Sequence, residues 1–348
     1  MNTPKTEQAI STELHGRVCR VLRSARCGGL AASQRVAAIL VVLACAAQAQ
    51  TPHSAKDYLD RGAARYSAGD LDGAIRDFDK AIEINSGHVK SRGKSAKPQN
   101  FTGDERPGRQ EQIIIEDSFN AVAYYDRGTA WYSKDDLERA IADFDRAIRI
   151  APRYTDAYIR RGRAWHARGD LDRAIADYDR AIRTDPCSAF AHNDRGIARE
   201  DKGDMAGAIA DFDMAILLDK GLGEAYINRG VARCGIGDVT GAIADLDAAI
   251  AMDPRSAAAY NNRASARRAS GDLAGAIADH DRAIALDPHN ALAYVNRGLT
   301  LMRQGKSPEA RADFQRGLLL NPALRNSIET LTKGEEMAPK RRTLEIVR

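Results

Sequence analysis

Seven arginines in this sequence each have an aspartate sixteen residues later. The pairs are Arg61 and Asp77, Arg127 and Asp143, Arg161 and Asp177, Arg195 and Asp211, Arg229 and Asp245, Arg263 and Asp279, and Arg297 and Asp313. A row of guanidinium groups could bind a polyanion. The planar guanidinium also matches a carboxylate with two parallel hydrogen bonds. Partner and spacing are both fixed, so the sequence favours the second chemistry. These would be structural pairs that tie two helices, within a repeat or between neighbours.

Catalysis needs reactive side chains that converge. Past the first fifty residues the histidines are His53, His88, His166, His192, His280 and His289, and they share no metal-ligand spacing. Cys187 and Cys234 are the only cysteines beyond residue 49, and no Cys-x-x-Cys or His-Glu-x-x-His occurs. Zinc and thiol–disulfide motifs therefore have no support. A Cys187–Cys234 bridge is disfavoured, since the two fall at the end of one sequence copy and in mid-helix of the next. There is no Gly-x-x-x-x-Gly-Lys phosphate loop and no Gly-x-Ser-x-Gly elbow. The expectation is a non-enzyme without metal or cofactor, an enzyme with an unrecognised site being the alternative.

The elements that position these residues repeat. Gly128, Gly162, Gly196, Gly230 and Gly298 lie on one 34-residue grid, with Ala264 in the empty slot and Gly62 opening a displaced upstream copy. Twelve residues on come Ala74, Ala140, Ala174, Ala208, Ala242, Ala276 and Ala310. Sixteen on comes a ring, Phe78, Phe144, Tyr178, Phe212, His280 or Phe314, with Leu246 the exception. Four before the Gly slot stands Tyr58, Tyr124, Tyr158, Tyr226, Tyr260 or Tyr294, with His192 in the fourth copy. Pro152, Pro186, Pro254, Pro288 and Pro322 close five copies.

With small residues at positions 8, 20 and 27 and aromatics at 4 and 24, this pattern resembles the tetratricopeptide repeat family. The resemblance covers about residues 55–322 in seven copies. It implies an all-α fold, an α-solenoid of helix-turn-helix repeats wound as a right-handed superhelix, with a concave groove. The arginine at position 7 departs from the family, which more often has an apolar residue there.

Elementary physics points the same way. Helices of about 13 residues are marginal alone and stand by burying one face against neighbours. In residues 155–186, Tyr158 to Ala167 carries helix formers with apolar spacing, and Gly169 suits a left-handed C′ position. Asp170 can then cap a second helix, Leu171 to Arg183, which Pro186 stops. Gly-Asp recurs at 69–70, 203–204, 237–238 and 271–272. Ser54, Asn120, Ser188, Ser256 and Asn290 are expected N-caps of first helices. His192 and His280, at ring positions, are expected in the packing.

In the family, positions 2, 5, 9, 12 and 13 of the first helix line the groove. The resemblance then implies Leu59, Tyr66, Tyr125 and Tyr132 at the N-terminal end, and Asp156, Arg163, His166, Asn193, Glu200 and Asp201 in the middle. Asn261, Arg268, Leu292, Val295, Leu299 and Met302 follow at the C-terminal end. Such a face suits a peptide with mixed anchors. For Leu292, Val295 and Leu299, packing against the next element is an equal alternative. Asn228, Asn262 and Asn296 hold position 6, as in relatives that clamp a terminal carboxylate. The accompanying cations are missing, with Ile227, Asn261 and Val295 at position 5 and Glu224, Ala258 and Leu292 at position 2. That clamp is not expected, and the asparagines are expected to cap or orient the groove.

Residues 1–49 read as a leader. Lys5, Arg17, Arg20, Arg23, Arg26 and Arg35 precede the apolar run 36–47 and an Ala47-x-Ala49 site. The run of 12 residues is shorter than the roughly 20 that span a bilayer. Export to the periplasm or medium is expected, the alternative being anchorage through an uncleaved leader or a lipidated Cys45. The leader carries the whole net charge of +4, leaving 46 of the 52 basic and 46 of the 48 acidic residues behind it. A neutral body does not attract polyanions over long range. A protein or peptide partner is expected, not nucleic acid, and the alternative role is accessory factor of a cell-envelope complex.

Residues 55–85 form the first copy and 119–322 the other six. Residues 86–118 are expected to be a flexible insertion, or a basic docking loop through 86–98. Residues 323–333 are expected to be a capping helix, and 334–348 a disordered tail. The Gly and Pro counts of 28 and 11 exclude a collagen-like chain, and five cysteines are too few for a disulfide-stapled miniprotein.

Overall fold

Glycine and aspartate at two adjacent slots divide the helices. Gly69, Gly169, Gly203, Gly237, Gly271 and Gly305 take φ of 82–91°, a conformation open to a residue without Cβ. The next residue then caps the following helix. Asp70, Asp170, Asp204, Asp238 and Asp272 each accept from the backbone N–H three residues on, at 2.9–3.1 Å.

The computed structural model describes the backbone of residues 54–94 and 108–337, and the side chains of 54–86 and 118–333. The leader, Cys45 and the last eleven residues lie outside the described residues. The chain divides into two compact units at Ala151 and Pro152. The first holds two helical hairpins, α1 (Ala55–Ser67) with α2 (Leu71–Lys94) and α3 (Gly108–Ser133) with α4 (Leu137–Ile150).

The second unit holds five hairpins. These are α5 (Thr155–Ala167) with α6 (Leu171–Thr184), α7 (Ala189–Asp201) with α8 (Met205–Leu218), and α9 (Gly223–Gly235) with α10 (Val239–Met252). Then come α11 (Ala257–Ser270) with α12 (Leu273–Leu286), and α13 (Ala291–Arg303) with α14 (Ser307–Leu320). A 3₁₀ turn, Pro322–Leu324, leads into α15 (Arg325–Met337). Within each unit a hairpin packs on the next, and no strand occurs among the described residues. No helix among them is long and apolar enough to cross a membrane.

Six of the seven hairpins close over a glycine, the exception being Ala264 of α11. A Cβ on Gly62 would lie 2.5 Å from the Phe78 ring, and one on Gly162, Gly196 or Gly298 would lie 2.6 Å from Tyr178, Phe212 or Phe314. The glycine lets the rings fill the space between the two helices. Each buried ring contributes about 1.5–3 kcal/mol.

Three expectations are corrected. The stretch 86–118 is not a loop throughout, for α2 runs on to Lys94 and α3 starts at Gly108. No proline lies between Ser86 and Lys94 to stop α2, and Pro107 directly precedes the first described residue of α3. Asn120 is therefore inside α3, with no free helix start to cap, and its Oδ1 is buried without a hydrogen bond. Ser54, Ser188, Ser256 and Asn290 do cap their helices. The capping helix begins at Arg325, after a 3₁₀ turn, and extends into the expected tail as far as Met337.

The Gly slot has one exception, Asp135, with φ of 62°. A left-handed L-residue costs about 1–2 kcal/mol, less for aspartate, and glycine returns part of that in unfolded-state entropy. Asp135→Gly should therefore stabilise the first unit by about 0.5 kcal/mol in urea unfolding. A loss of stability would show that Asp135 holds its turn by another contact.

Candidate functional site

The repeated charges are placed first, because they fix the hairpins. In all seven pairs Arg Nε and Nη2 donate to the two oxygens of the aspartate sixteen residues on, at 2.5–2.9 Å. The guanidinium also reaches the preceding hairpin. Arg195, Arg229, Arg263 and Arg297 donate from Nη1 to Asp179, Asp213, Asp247 and Asp281 at 2.6–2.7 Å, and Arg127 does so to Asp79. Six of these arginines also lie 5.2–5.7 Å from the ring of the tyrosine three residues earlier. An arginine held on three sides is architecture, not a free anion site.

Asp211 shows the electrostatic result. Burial alone would raise its carboxyl, but the contacts of His192 and Arg195 and the charges of Arg195 and Arg199 hold it below its ordinary value. His192 Nδ1 stands 3.7 Å from Asp211. His280 and His192 are both buried. Cys187 is exposed and Cys234 buried, each as a free thiol.

The first helices of successive hairpins build a second ladder. In the second unit Arg163 donates to Asp194 from Nε at 2.5 Å and Nη2 at 3.1 Å, and His166 Nε2 lies 2.8 Å from Asp201. Asn228 donates to Asn193 at 3.0 Å and Asn296 to Asn261 at 3.3 Å. In the first unit Tyr66 Oη is 2.9 Å from Ser133 Oγ. The spacings are 31, 35 and 67 residues. A search for polar pairs one repeat apart would have found all but the last.

This ladder corrects the expected groove. Asn193, Asn261, Arg268 and Glu200 are buried. Arg163 and His166 are spent on Asp194 and Asp201. Val295 and Leu299 are fully buried in a cluster with Leu301, Ala310, Phe314 and Ile328, with Met302 and Leu331 packed against it. Among the described residues α15, and not a further hairpin, covers α13. Leu292 is half-buried. Leu59 and Tyr66 pack on the Phe78 cluster, Tyr125 lies 6.0 Å from Phe144, and Tyr132 is half-buried.

One side chain was missed. Phe190, at position 2 of the fourth copy, is 53% exposed on the first turn of α7. The family rule for position 2 would have pointed to it. Its counterparts in the flanking copies, Asp156 on α5 and Glu224 on α9, are exposed as well. Burial disfavours the Arg163 cation. The bond and charge of Asp194, then the charges of Tyr178 and Glu224, still hold its pKa above the ordinary arginine value. Glu224 thus acts on Arg163 from two first helices away.

In the first unit, burial pushes the Asp126 carboxyl up to about 6. A raised carboxyl favours the folded state below its unfolded value, and that stability is lost as pH rises through about 4 to 6. Asp126→Asn should therefore stabilise this unit by about 1–2 kcal/mol at pH 7.5 and by nothing at pH 4. Urea unfolding at both pH values checks it, and equal gains would sink the assignment to charge burial.

Among the described residues no three metal-capable side chains converge. Family comparison matches residues 111–155, 125–189, 167–225 and 291–324 to "Tetratricopeptide repeat" and 264–305 to "TPR repeat". A solved tetratricopeptide repeat protein from Parabacteroides merdae is 18% identical, covering 81% of this chain and 98% of that one, with a TM-score of 0.59. PilW, described as a widely conserved type IV pilus biogenesis factor, is 19% identical over 61% of this chain and 98% of its own, with a TM-score of 0.55. The Cut9–Hcn1 assembly of the APC/C is 14% identical over 85% of this chain and 62% of its own, at 0.57. At these identities the likeness is one of fold. Comparison with curated proteins gives no match.

Proposed function

The chain belongs to the tetratricopeptide repeat family, and on that premise we propose that it is a non-enzymatic scaffold. In this reading it holds a peptide segment or partner protein on the face that the first helices make within a unit. One observation carries the proposal. The polar groups of that face bond hairpin to hairpin, so the face is rigid before a ligand arrives, while Phe190 and the position-2 carboxylates stay free. A preformed surface loses little entropy on binding.

The test is affinity capture with the full chain, repeated with Tyr132→Ala and Phe190→Ala combined. The captured set should lose members in the double variant. An unchanged set would remove the first-helix face from the proposal. Tyr132 and Phe190 keep enough exposure for both variants to fold.

Export belongs to the same proposal and rests on the basic segment, apolar run and Ala47-x-Ala49 of the leader. Intact mass of the exported protein should correspond to a chain starting at Gln50. A mass that includes residues 1–49 would instead favour an anchored accessory factor.

A further inference from the structure

We infer that the surface around Phe190, on α5, α7 and α9, takes a peptide of a partner protein in which an aromatic or aliphatic side chain is flanked by lysine or arginine. This deepens the scaffold reading by naming its ligand class, and rests on it. A lone exposed ring needs no ligand. Phe190, however, stands on the helix between exposed Asp156 and exposed Glu224, all three in the same repeat slot.

The charge of the surface is one-sided. Exposed on this face of the three helices are Asp156, Asp201 and Glu224, against half-buried Arg160 and Arg163, while Asp194 and Glu200 are buried. Arg163 gives its hydrogen bonds to both oxygens of Asp194 and reaches Glu224 through its charge alone, so the exposed carboxylates of Asp156 and Glu224 keep room for a cation of the ligand. His166 is committed to Asp201 in the same way. The chain behind the leader is neutral as a whole, so an acidic excess here is local to this surface. Complementary charge then steers and orients a cationic peptide.

Geometry sets a register. Packed helices stand about 8–10 Å apart, and an extended chain advances about 3.3 Å per residue. A strand crossing α5, α7 and α9 therefore moves about three residues per helix. With its apolar side chain on Phe190, its cations fall about three residues to either side, over Asp156 and Glu224.

The experiment selects a random peptide library on the full chain and measures the selected peptides by titration. The expected peptides have one aromatic or aliphatic position with Lys or Arg about three residues away on both sides. Their affinity should fall about 10-fold or more with Phe190→Ala, and again with Glu224→Lys, and should weaken with salt. Melting curves confirm that both exposed-site variants fold. Peptides of another chemistry that still compete at Phe190 overturn the inference and leave the scaffold reading standing. No selected peptide at all overturns both. Binding that emerges only after removal of residues 338–348, with Lys340, Arg341, Arg342 and Leu344, assigns the surface to the chain's own tail and overturns the partner assignment.

Discussion

Replacing Ala264 by Gly and His280 by Phe together should stabilise the second unit, although neither change alone should do so. His280 fills the ring slot of the α11/α12 hairpin, with no exposure and no hydrogen-bond partner on either ring nitrogen. Each buried unsatisfied nitrogen costs about 1–3 kcal/mol. Phenylalanine removes that cost, but the slot opposite holds Ala264 and not Gly. In the four hairpins with phenylalanine in the ring slot, a Cβ there would meet the ring at 2.5–2.9 Å. His280→Phe alone should overpack, costing about 1–3 kcal/mol. Ala264→Gly alone opens a gap and loses about 1 kcal/mol of helix propensity. The double-mutant cycle should show coupling of about 1–3 kcal/mol. Additive single effects would mean that positions 264 and 280 do not share one space.

Acid should sharpen the difference. Burial first, then the charges of Arg268 on α11 and Arg297 on α13, lower the His280 pKa to about 3 from 6.5. On its own helix Asp279 is already held by Arg263 and Arg267, and Asp281 by Arg297, so neither is left to favour the imidazolium. The unfolded chain protonates this imidazole below pH 6.5, while the folded chain resists until about 3. Stability is therefore full above 6.5 and falls as pH drops through that window. From pH 7 to pH 5 the loss is about 2 kcal/mol, and the double variant should not show it. The Arg–Asp pairs act in a different range. Asp211 is held below its ordinary value, so its contribution is lost only in stronger acid.

Asp245→Asn should be strongly damaging to the second unit. The carboxylate is almost fully buried, takes Arg229 at 2.5 and 2.9 Å, and takes Arg233 Nη1 at 2.9 Å. Neutralising it takes the buried carboxylate from two half-buried guanidiniums and leaves them only the more exposed Asp213 and Asp238, a loss of about 2–4 kcal/mol. Arg229→Leu should cost less, about 1–3 kcal/mol, since Arg233 still answers Asp245 and the freed Asp213 is exposed. Urea unfolding ranks the two, and ligand binding by the folded fraction should survive both. Binding lost at unchanged stability would restore the arginine row as an anion site.

Much of this was legible in the chain. The 34-residue grid, the left-handed Gly with its capping Asp, and the seven Arg–Asp pairs could all be read, because each joins residues within one hairpin. A short turn of set length fixes how two such helices face each other, so sequence spacing becomes spatial contact. His280 was also readable as a ring substitute, though not its two empty nitrogens.

Other features were decided by the way hairpins stack. Arg163 on Asp194, His166 on Asp201 and the asparagine ladder join different hairpins, and their partners follow from the rotation between them. The same stacking put Val295 and Leu299 under α15, half-buried Asp126, and left Phe190 in the open. The sequence by itself determined the hairpin: its helices, its turn and the charges that tie it. Only the tertiary structure decided which side chains of the first helices remain for a partner. Every first helix carries the same periodic slots, and exposure depends on what the neighbouring hairpin covers.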